Sequence, residues 1–221
     1  MEKVRAIVTG ATGMVGEGVL HECLKNDAVE KVLVVGRRSC GVTHPKLAEI
    51  IHQDFFDLSP VEDELSGWNA CFFCLGMSSV GVSEEEYKRM TYDLTLNFAE
   101  TLVKRNPDMT FCYVSGSGTD STEKGRLAWA RVKGKTENDL MKLPFKRVFA
   151  FRIGFLKPGA NYKNTLKPYK YFGWLYPVLR AVSNNLASTL SEVGRAMING
   201  ATKGYEKQVL EVEDIIKLAK R

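Results

Sequence analysis

The first sixteen residues constrain the fold more than any other part of the chain. Residues 4–8 form an apolar run that predicts a strand, and the sequence TGATGMVG at residues 9–16 leads from it into an amphipathic segment. Glycine has no Cβ atom, so Gly10 and Gly13 allow a tight turn and a close approach to a ligand. Gly16 would let a helix pack close to the strand. We therefore predict a strand, a glycine turn and a helix.

A strand, turn and helix of this kind favour an anionic ligand. The first N–H groups of a helix have no partner within the helix, and the helix dipole attracts negative charge. The spacing Gly-x-x-Gly-x-x-Gly is less common than Gly-x-Gly-x-x-Gly, which weakens the evidence for a binding site. The alternative is that the glycines serve only a tight turn. If the turn binds an anionic ligand, we expect a pyrophosphate group to contact Gly10, Thr12, Gly13, Met14 and Val15.

Strands and helices alternate along the rest of the chain. Buried strands are predicted at residues 31–35, 50–53, 70–75, 110–114 and 148–153, and a short strand at 208–212. Helices are predicted at 84–105, 126–141, 190–199 with Gly200 closing it, and 213–220. This order predicts an α/β fold with a doubly wound parallel sheet of the Rossmann type. We expect a single domain over residues 1–221, in which residues 155–205 contribute a small C-terminal substrate lobe.

Composition excludes several classes of protein. The 221 residues carry a net charge of only +5, and the basic residues are scattered, which gives little support to nucleic-acid binding. Apolar runs are too short to span a bilayer, and the N-terminus enters a strand without a signal-peptide pattern, so we expect a cytoplasmic protein. Five cysteines in mostly apolar segments predict reduced thiols, and three dispersed histidines do not suggest a metal site.

These features together resemble the short-chain dehydrogenase/reductase superfamily, in its extended or atypical branch, over nearly the whole chain. The resemblance rests on the glycine motif, on Asp54-Phe55 after the third strand, on Gly76 after the fourth, and on Ser115-Gly-Ser117 after the fifth. Small single-domain members of the NAD(P)-binding, Tat-interacting-protein-like group are the most similar. That branch includes reductases, epimerases, dehydratases and NADP-sensing regulators.

The resemblance also implies where a cofactor and a second subunit would bind. It implies that Asp54 and Phe55 lie beside the adenine and that Leu75 and Gly76 line the cofactor site. It further implies a homodimer formed through the helices at about 84–105 and 126–141.

In this superfamily a serine, a tyrosine and a lysine carry the chemistry, and the tyrosine precedes the lysine by four residues. By position, the serine is Ser117, with Ser115 as the second choice, and the lysine that holds the nicotinamide ribose is Lys133. The tyrosine position is occupied by Trp129, and no Tyr-x-x-x-Lys occurs in the chain. An indole N–H does not ionise near neutral pH, whereas a phenol can act as an acid. The alternatives are a solvated helix lysine and a serine that caps a loop.

The end of the second predicted strand bears on which dinucleotide is bound. NAD-binding proteins usually place a carboxylate there to accept from the ribose 2′-hydroxyl, but this chain has Gly36. Arg37 and Arg38 follow and could bind a 2′-phosphate through charge-assisted hydrogen bonds. We therefore predict NADP as the cofactor; the alternative is two solvated loop arginines.

Three functions fit the sequence, which indicates no substrate. The first is an NADP(H)-binding protein without the usual catalytic tyrosine, which acts as a cofactor sensor or in non-standard chemistry. The second is an NADP-dependent oxidoreductase or epimerase that uses another proton donor. The third is a protein-interaction scaffold that uses the aromatic run at residues 169–179; that run could equally form a small core with some pocket lining.

Overall fold

A computed structural model describes residues 2–159, 162–165, 176, 180 and 186–221 of the chain. Its main feature is a seven-stranded sheet in which every adjacent pair of strands is parallel. Seven strands form this sheet: β1 Val4–Thr9, β2 Val29–Gly36, β3 Leu47–Ile51, β4 Ala70–Phe73, β5 Thr110–Gly116, β6 Arg147–Ile153 and β9 Val209–Leu210. Two short strands, β7 Phe155–Lys157 and β8 Ala187–Thr189, pair with each other in a second sheet. The helices are α1 Met14–Lys25, α2 Glu84–Lys88, α3 Leu94–Arg105, α4 Ala128–Leu140, α5 Leu190–Lys203 and α6 Val212–Ala219.

The sheet order confirms the predicted doubly wound fold. The strands are arranged β3-β2-β1-β4-β5-β6-β9, so the chain builds outward from β1, returns to β4 on the other side of β1, and continues outward. The direction of winding therefore reverses between β1 and β4. In an open α/β sheet, a crevice forms at this point beyond the carboxyl ends of the strands, and ligands bind there.

Two hydrophobic cores cover the two faces of the sheet. On one face, β1 and β6 pack against α1, α5 and α6, with Val8, Leu20 and Phe149 in the core. The core on the other face includes Phe98 of α3 and Phe111 of β5. Since both faces are covered, the central strands are apolar throughout, which is why their sequences lack an alternating pattern.

The predicted helix at residues 84–105 is a continuous helical segment with one irregular turn. Ser83 accepts a hydrogen bond from the backbone N–H of Glu86 and so begins α2 as predicted. A π-helical turn at Arg89–Asp93 then joins α2 to α3. Among the described residues, no helix is both long enough and apolar enough to cross a membrane.

Three details of the prediction were wrong. The third strand was predicted at residues 50–53, but β3 spans Leu47–Ile51. The prediction failed because a half-exposed edge strand shows no continuous apolar run. Gly200 does not close α5: the helix continues to Lys203, and Gly204 with φ +73° ends it. The short paired strands β7 and β8 were missed.

Candidate functional site

The glycine turn between β1 and α1 is tightly packed. Gly10 has φ +68°, and a Cβ atom there would lie 2.7 Å from the Cys74 carbonyl oxygen at the end of β4. A Cβ atom on Gly16 would lie 2.5 Å from the Gly10 carbonyl carbon. Gly13 donates its N–H to the Gly10 carbonyl at 2.9 Å and is the N-cap residue of α1. The N-terminal end of α1 is thereby held at the carboxyl end of β1, as the sequence predicts.

A cleft of about 530 Å³ opens at this edge of the sheet, which is within the range of small-molecule sites. Eight of the predicted cofactor-binding residues line it: Gly10, Thr12, Arg37, Arg38, Asp54, Phe55, Leu75 and Gly76. Four others do not line it. Gly13 is exposed, Met14 is buried and Val15 is half-buried, all at the start of α1, and the fourth is Lys133 of α4.

The sequence analysis missed several residues that complete the cleft. Met90 and Leu94 are four residues apart on the helical segment after β4, and this spacing places them on one helix face. That spacing was visible in the sequence, but nothing indicated which edge of the sheet the face would approach. The missed residues of the wall are Ala11, Val34, Gly36, Gln53, Phe56, Met77, Met90 and Leu94.

The end of the cleft beyond β3 is shaped by aromatic packing. The Phe55 ring is buried and stacks on Phe98 with ring centroids 5.8 Å apart. The Asp54 carboxylate accepts the backbone N–H of Phe56 at 2.9 Å, which fixes the turn after the strand. The Arg89 guanidinium lies 4.9 Å from the centre of the Phe56 ring. This part of the cleft is therefore formed by packed aromatic rings with Asp54 and Arg89 beside them.

The loop after β5 presents one of the two candidate serines. Ser115 is buried, and its hydroxyl lies 3.1 Å from the Thr119 hydroxyl. Ser117 is exposed; its backbone N–H donates to the Ile153 carbonyl at 2.9 Å, and its hydroxyl donates to the Arg152 carbonyl at 3.4 Å. Only Ser117 of the two therefore offers its hydroxyl to a ligand.

Trp129 packs against this serine loop. A Cβ atom on Gly118 would lie 3.5 Å from the indole ring, and one on Gly116 would lie 3.9 Å from it. Gly118 has φ +86°, a conformation that favours glycine. The Trp129 indole thus packs beside the glycines on both sides of Ser117.

Lys133 is held against the end of β5. Its ammonium group donates to the Tyr113 hydroxyl at 3.3 Å and to the Val114 carbonyl at 3.4 Å. Burial lowers the pKa of Lys133, and Tyr87 and Glu137 partly oppose this shift. Lys133 is therefore not the solvated helix lysine that the sequence left open.

The phenols around Lys133 are not available to a ligand. In the described part of the chain, Tyr113 accepts a hydrogen bond from Lys133, and Tyr87 is close enough to raise the pKa of the lysine. Tyr113 is 1% exposed and Tyr87 is 4% exposed. Burial raises the pKa of both hydroxyls. Neither phenol is therefore exposed to a ligand in the cleft.

The loop, β6 and α4 are joined by a buried ion pair. Arg152 of β6 donates to Glu137 of α4 at 2.6 Å, and the Glu137 side chain is fully buried. Since the Arg152 carbonyl also accepts from Ser117, the ion pair fixes the serine loop relative to the helix that carries Trp129 and Lys133. Because β5 follows β4 in the parallel sheet, these residues lie at the same edge as the cleft.

A parallel sheet of this order, with a glycine turn and a cleft at the point where the winding reverses, defines a Rossmann-type dinucleotide-binding protein. The chain belongs to the NAD dependent epimerase/dehydratase family, whose model matches residues 6–125. This finding confirms the predicted resemblance to atypical short-chain dehydrogenases and shows that the cofactor class is a nicotinamide dinucleotide.

Two curated relatives match most of the chain. Protein HTATIP2 of Rattus norvegicus is 27% identical over 204 residues, which cover 85% of this chain and 83% of the relative. Protein fmp52, mitochondrial, of Emericella nidulans is 26% identical over 212 residues, which cover 90% and 88%. The name of the second relative describes it as mitochondrial. The cytoplasmic location expected for this chain therefore stays a prediction.

Solved structures share the fold. ADP-L-glycero-D-manno-heptose-6-epimerase of Helicobacter pylori superimposes with a TM-score of 0.70 at 16% identity, covering 99% of this chain and 81% of that one. A short chain dehydrogenase of Burkholderia cenocepacia in complex with NADP gives a TM-score of 0.65 at 15% identity, covering 95% and 87%. At these identities the likeness concerns the fold alone.

Proposed function

We propose that this protein binds NADP(H) without the usual tyrosine-dependent chemistry, and that it acts as a cofactor sensor or in a non-standard reaction. One observation carries the proposal: the cofactor cleft is built, but Trp129 lies against the Ser117 loop at the tyrosine position. The phenols near Lys133 are buried. Binding and proton transfer should therefore be separable activities of this chain.

The residues of the cleft fit a dinucleotide. We propose that a pyrophosphate binds at the glycine turn, surrounded by Gly10, Thr12, Gly13, Met14 and Val15; the close-packed backbone of this turn and the start of α1 support the proposal. The aromatic surface beyond β3 suits an adenine ring, which would lie beside Asp54 and Phe55, with Leu75 and Gly76 further along the cleft. We also propose that residues 155–205 contribute a substrate lobe.

The preference for NADP(H) is supported by charge at the end of β2. Gly36 occupies the position of the usual carboxylate, and the exposed Arg37 and Arg38 line the cleft. We expect calorimetry on Arg37→Ala to show a reduced ratio of NADP to NAD affinity, because a charge-assisted bond to the 2′-phosphate is lost. Arg195→Ala, an exposed arginine of α5 outside the cleft, is the matched control and should leave the ratio unchanged.

A bound nicotinamide ring supplies or accepts hydride, and the chain must then supply a proton to a carbonyl substrate. Ser117 can orient the substrate oxygen and Lys133 can hold the ribose, but Trp129 cannot release a proton. A positioned general acid contributes about 100- to 10,000-fold to rate. We therefore expect tight NADPH binding together with slow reduction of aldehydes and ketones, and Trp129→Tyr should raise the rate while cofactor affinity is retained.

A second candidate is an NADP-dependent oxidoreductase or epimerase with a different acid. The position of Lys133 favours it, because burial lowers the pKa of this ammonium group and makes it a better proton donor than a solvated lysine. Fast NADPH-dependent carbonyl reduction by the unmodified protein, abolished by Ser117→Ala, would establish this function instead.

A third function, a scaffold that uses the aromatic run at residues 169–179, would follow if neither NADPH nor NADH bound. Of that run, only Tyr176 lies within the described residues.

A further inference from the structure

We propose that Glu49 and Gln53 determine the cofactor preference by holding the Arg37-Arg38 loop in the shape that receives a 2′-phosphate. They are positioning residues that act through the loop backbone. This inference rests on the proposed preference for NADP(H) and names the part of the chain that would create it.

The loop that carries the two arginines needs support from outside itself. It leaves the sheet after Gly36, and both arginine side chains are exposed, so they gain little order from packing. A long exposed side chain loses rotamer freedom when it binds a ligand, and a mobile backbone beneath it would add to this cost. The backbone at Arg37 and Arg38 must therefore be fixed by other residues if the phosphate is to be bound well.

Glu49 fixes the loop after the arginines. Its two carboxylate oxygens accept separate hydrogen bonds, one from the Ser39 hydroxyl and one from the Cys40 backbone N–H, both at 2.7 Å. The Ser39 hydroxyl in turn accepts the Gly41 N–H at 3.1 Å. Burial alone would raise the pKa of Glu49, but the bonds from Cys40 and Ser39 lower it. The carboxylate is thus ionised near neutral pH, and both of its oxygens accept hydrogen bonds.

Gln53 fixes the loop before Arg38. Its side-chain amide donates to the Arg37 carbonyl at 2.6 Å, and the residue itself lines the cleft. Next to Gln53, the backbone N–H of His52 donates to the Gly36 carbonyl at 2.9 Å. Arg38 therefore lies between two attachments to the β3 segment, one through Gln53 and one through Glu49.

These attachments should matter for one cofactor and not for the other. Bidentate binding of a phosphate by arginine depends on geometry, so a fixed loop improves it. NAD has no 2′-phosphate and gains nothing from the order of the loop. Both residues should therefore change the ratio of the two cofactor affinities, and Glu49, which does not line the cleft, should leave the affinity for NAD unchanged.

The test uses the full-length protein and two fragments of the cofactor. 2′,5′-ADP carries the 2′-phosphate and 5′-AMP lacks it, and calorimetry gives the affinity for each. Glu49→Ala should weaken 2′,5′-ADP binding about 3- to 10-fold, the usual effect of losing one hydrogen bond or a few, and leave 5′-AMP unchanged, because Glu49 does not line the cleft. Gln53 lines the cleft, so for Gln53→Met the measured quantity is the ratio of the two affinities, which should fall by the same factor. Ser59→Ala is the matched control, because it removes a hydroxyl bond to Asp57 in the segment after β3 without touching the loop.

Arg37→Ala and Arg38→Ala, measured beside them, separate the possible failures. If the arginine variants lose selectivity for 2′,5′-ADP and the Glu49 and Gln53 variants do not, this inference is wrong and the NADP(H) preference stands. Equal weakening of both fragments would assign Glu49 and Gln53 to the cleft as a whole and also overturn it. Should the arginine variants leave selectivity unchanged, the NADP(H) preference and this inference fail together. Glu49→Gln, which keeps the side-chain volume, replaces Glu49→Ala if that variant unfolds.

Discussion

Gly16 offers a direct test of how the first turn is built. An alanine there would place its Cβ atom 2.5 Å from the Gly10 carbonyl carbon and 2.9 Å from the Ala11 nitrogen. Carbon atoms pack best at about 3.5–4.0 Å, so α1 would have to move by about 1 Å relative to the turn. Both contacts are with backbone, so no side chain can move aside. Helix propensity works in the opposite direction, because alanine is favoured over glycine by about 1 kcal/mol.

The clash should outweigh that propensity. Overpacking costs about 1–3 kcal/mol, and a backbone contact belongs at the upper end, so we expect a net loss of about 2 kcal/mol. For a chain of this length that lowers the melting temperature by about 4–8 °C. A 1 Å shift also breaks a hydrogen bond from α1 to a bound pyrophosphate, which would weaken NADPH binding about 10- to 100-fold.

Gly13→Ala in the same turn is the matched control for stability, and for stability alone, because Gly13 belongs to the proposed pyrophosphate site. Its Cβ atom would lie 3.3 Å from the Gly10 oxygen, a close contact that a shift of a few tenths of an ångström relieves, and Gly13 has φ −105°, which alanine adopts freely. Thermal unfolding compares the two variants, and calorimetry with NADPH compares Gly16→Ala with the parent protein. Equal melting temperatures for the two variants, together with a parental NADPH affinity for Gly16→Ala, would refute the claim that Gly16 sets the position of α1.

Three further predictions concern stability and assembly. Glu137→Ala leaves the nearly buried Arg152 without its main partner and should cost about 3–5 kcal/mol in urea unfolding; a loss under 1 kcal/mol would mean that solvent replaces the carboxylate. Burial alone would raise the pKa of Asp139, but hydrogen bonds, led by that from Lys135, lower it below its unfolded value of about 3.9. Its stabilising contribution is therefore full above about pH 4 and disappears as the pH falls through the folded pKa, so Asp139→Asn should be less stable than the parent at pH 7 and converge with it in acid. Light scattering should give the mass of a homodimer formed through α2 to α4, and a monomeric mass would contradict that prediction.

Most of the fold could be predicted because its signals are local. Continuous apolar runs mark strands that are covered on both faces, and the glycine turn marks where the first helix must pack. The edge strand β3 was placed three residues too late because its residues are half-buried or exposed, with Glu49 turned toward the loop that precedes the strand. Gly200 was misread for a related reason. A glycine inside a helix and one that ends a helix look the same in a sequence, and only the positive φ of Gly204 shows where α5 ends.

The site was predictable to the extent that backbone motifs create it. The glycine turn and the loop arginines lie on the cleft because they follow directly from strand ends. Residues that reach the cleft from a packed helix, such as Met90, depend on tertiary structure that spacing alone does not reveal. The partners of Lys133 were also hidden, because the sequence shows a lysine on a helix and not the buried Tyr113 hydroxyl that receives it.

The two halves of the sheet explain why the proposed loss of the proton donor need not affect cofactor binding. The cleft is lined by residues that follow β1, β2, β3 and β4, together with Met90 and Leu94 of the helical segment after β4. The serine loop and α4 belong to the other half, where the Arg152–Glu137 pair fixes them to each other. A change at position 129 therefore alters the packing against Gly118 without removing any residue from the cleft. Since the two parts are built from different elements, the loss of one need not weaken the other, and a protein of this design can retain an intact dinucleotide site while its chemistry changes or disappears.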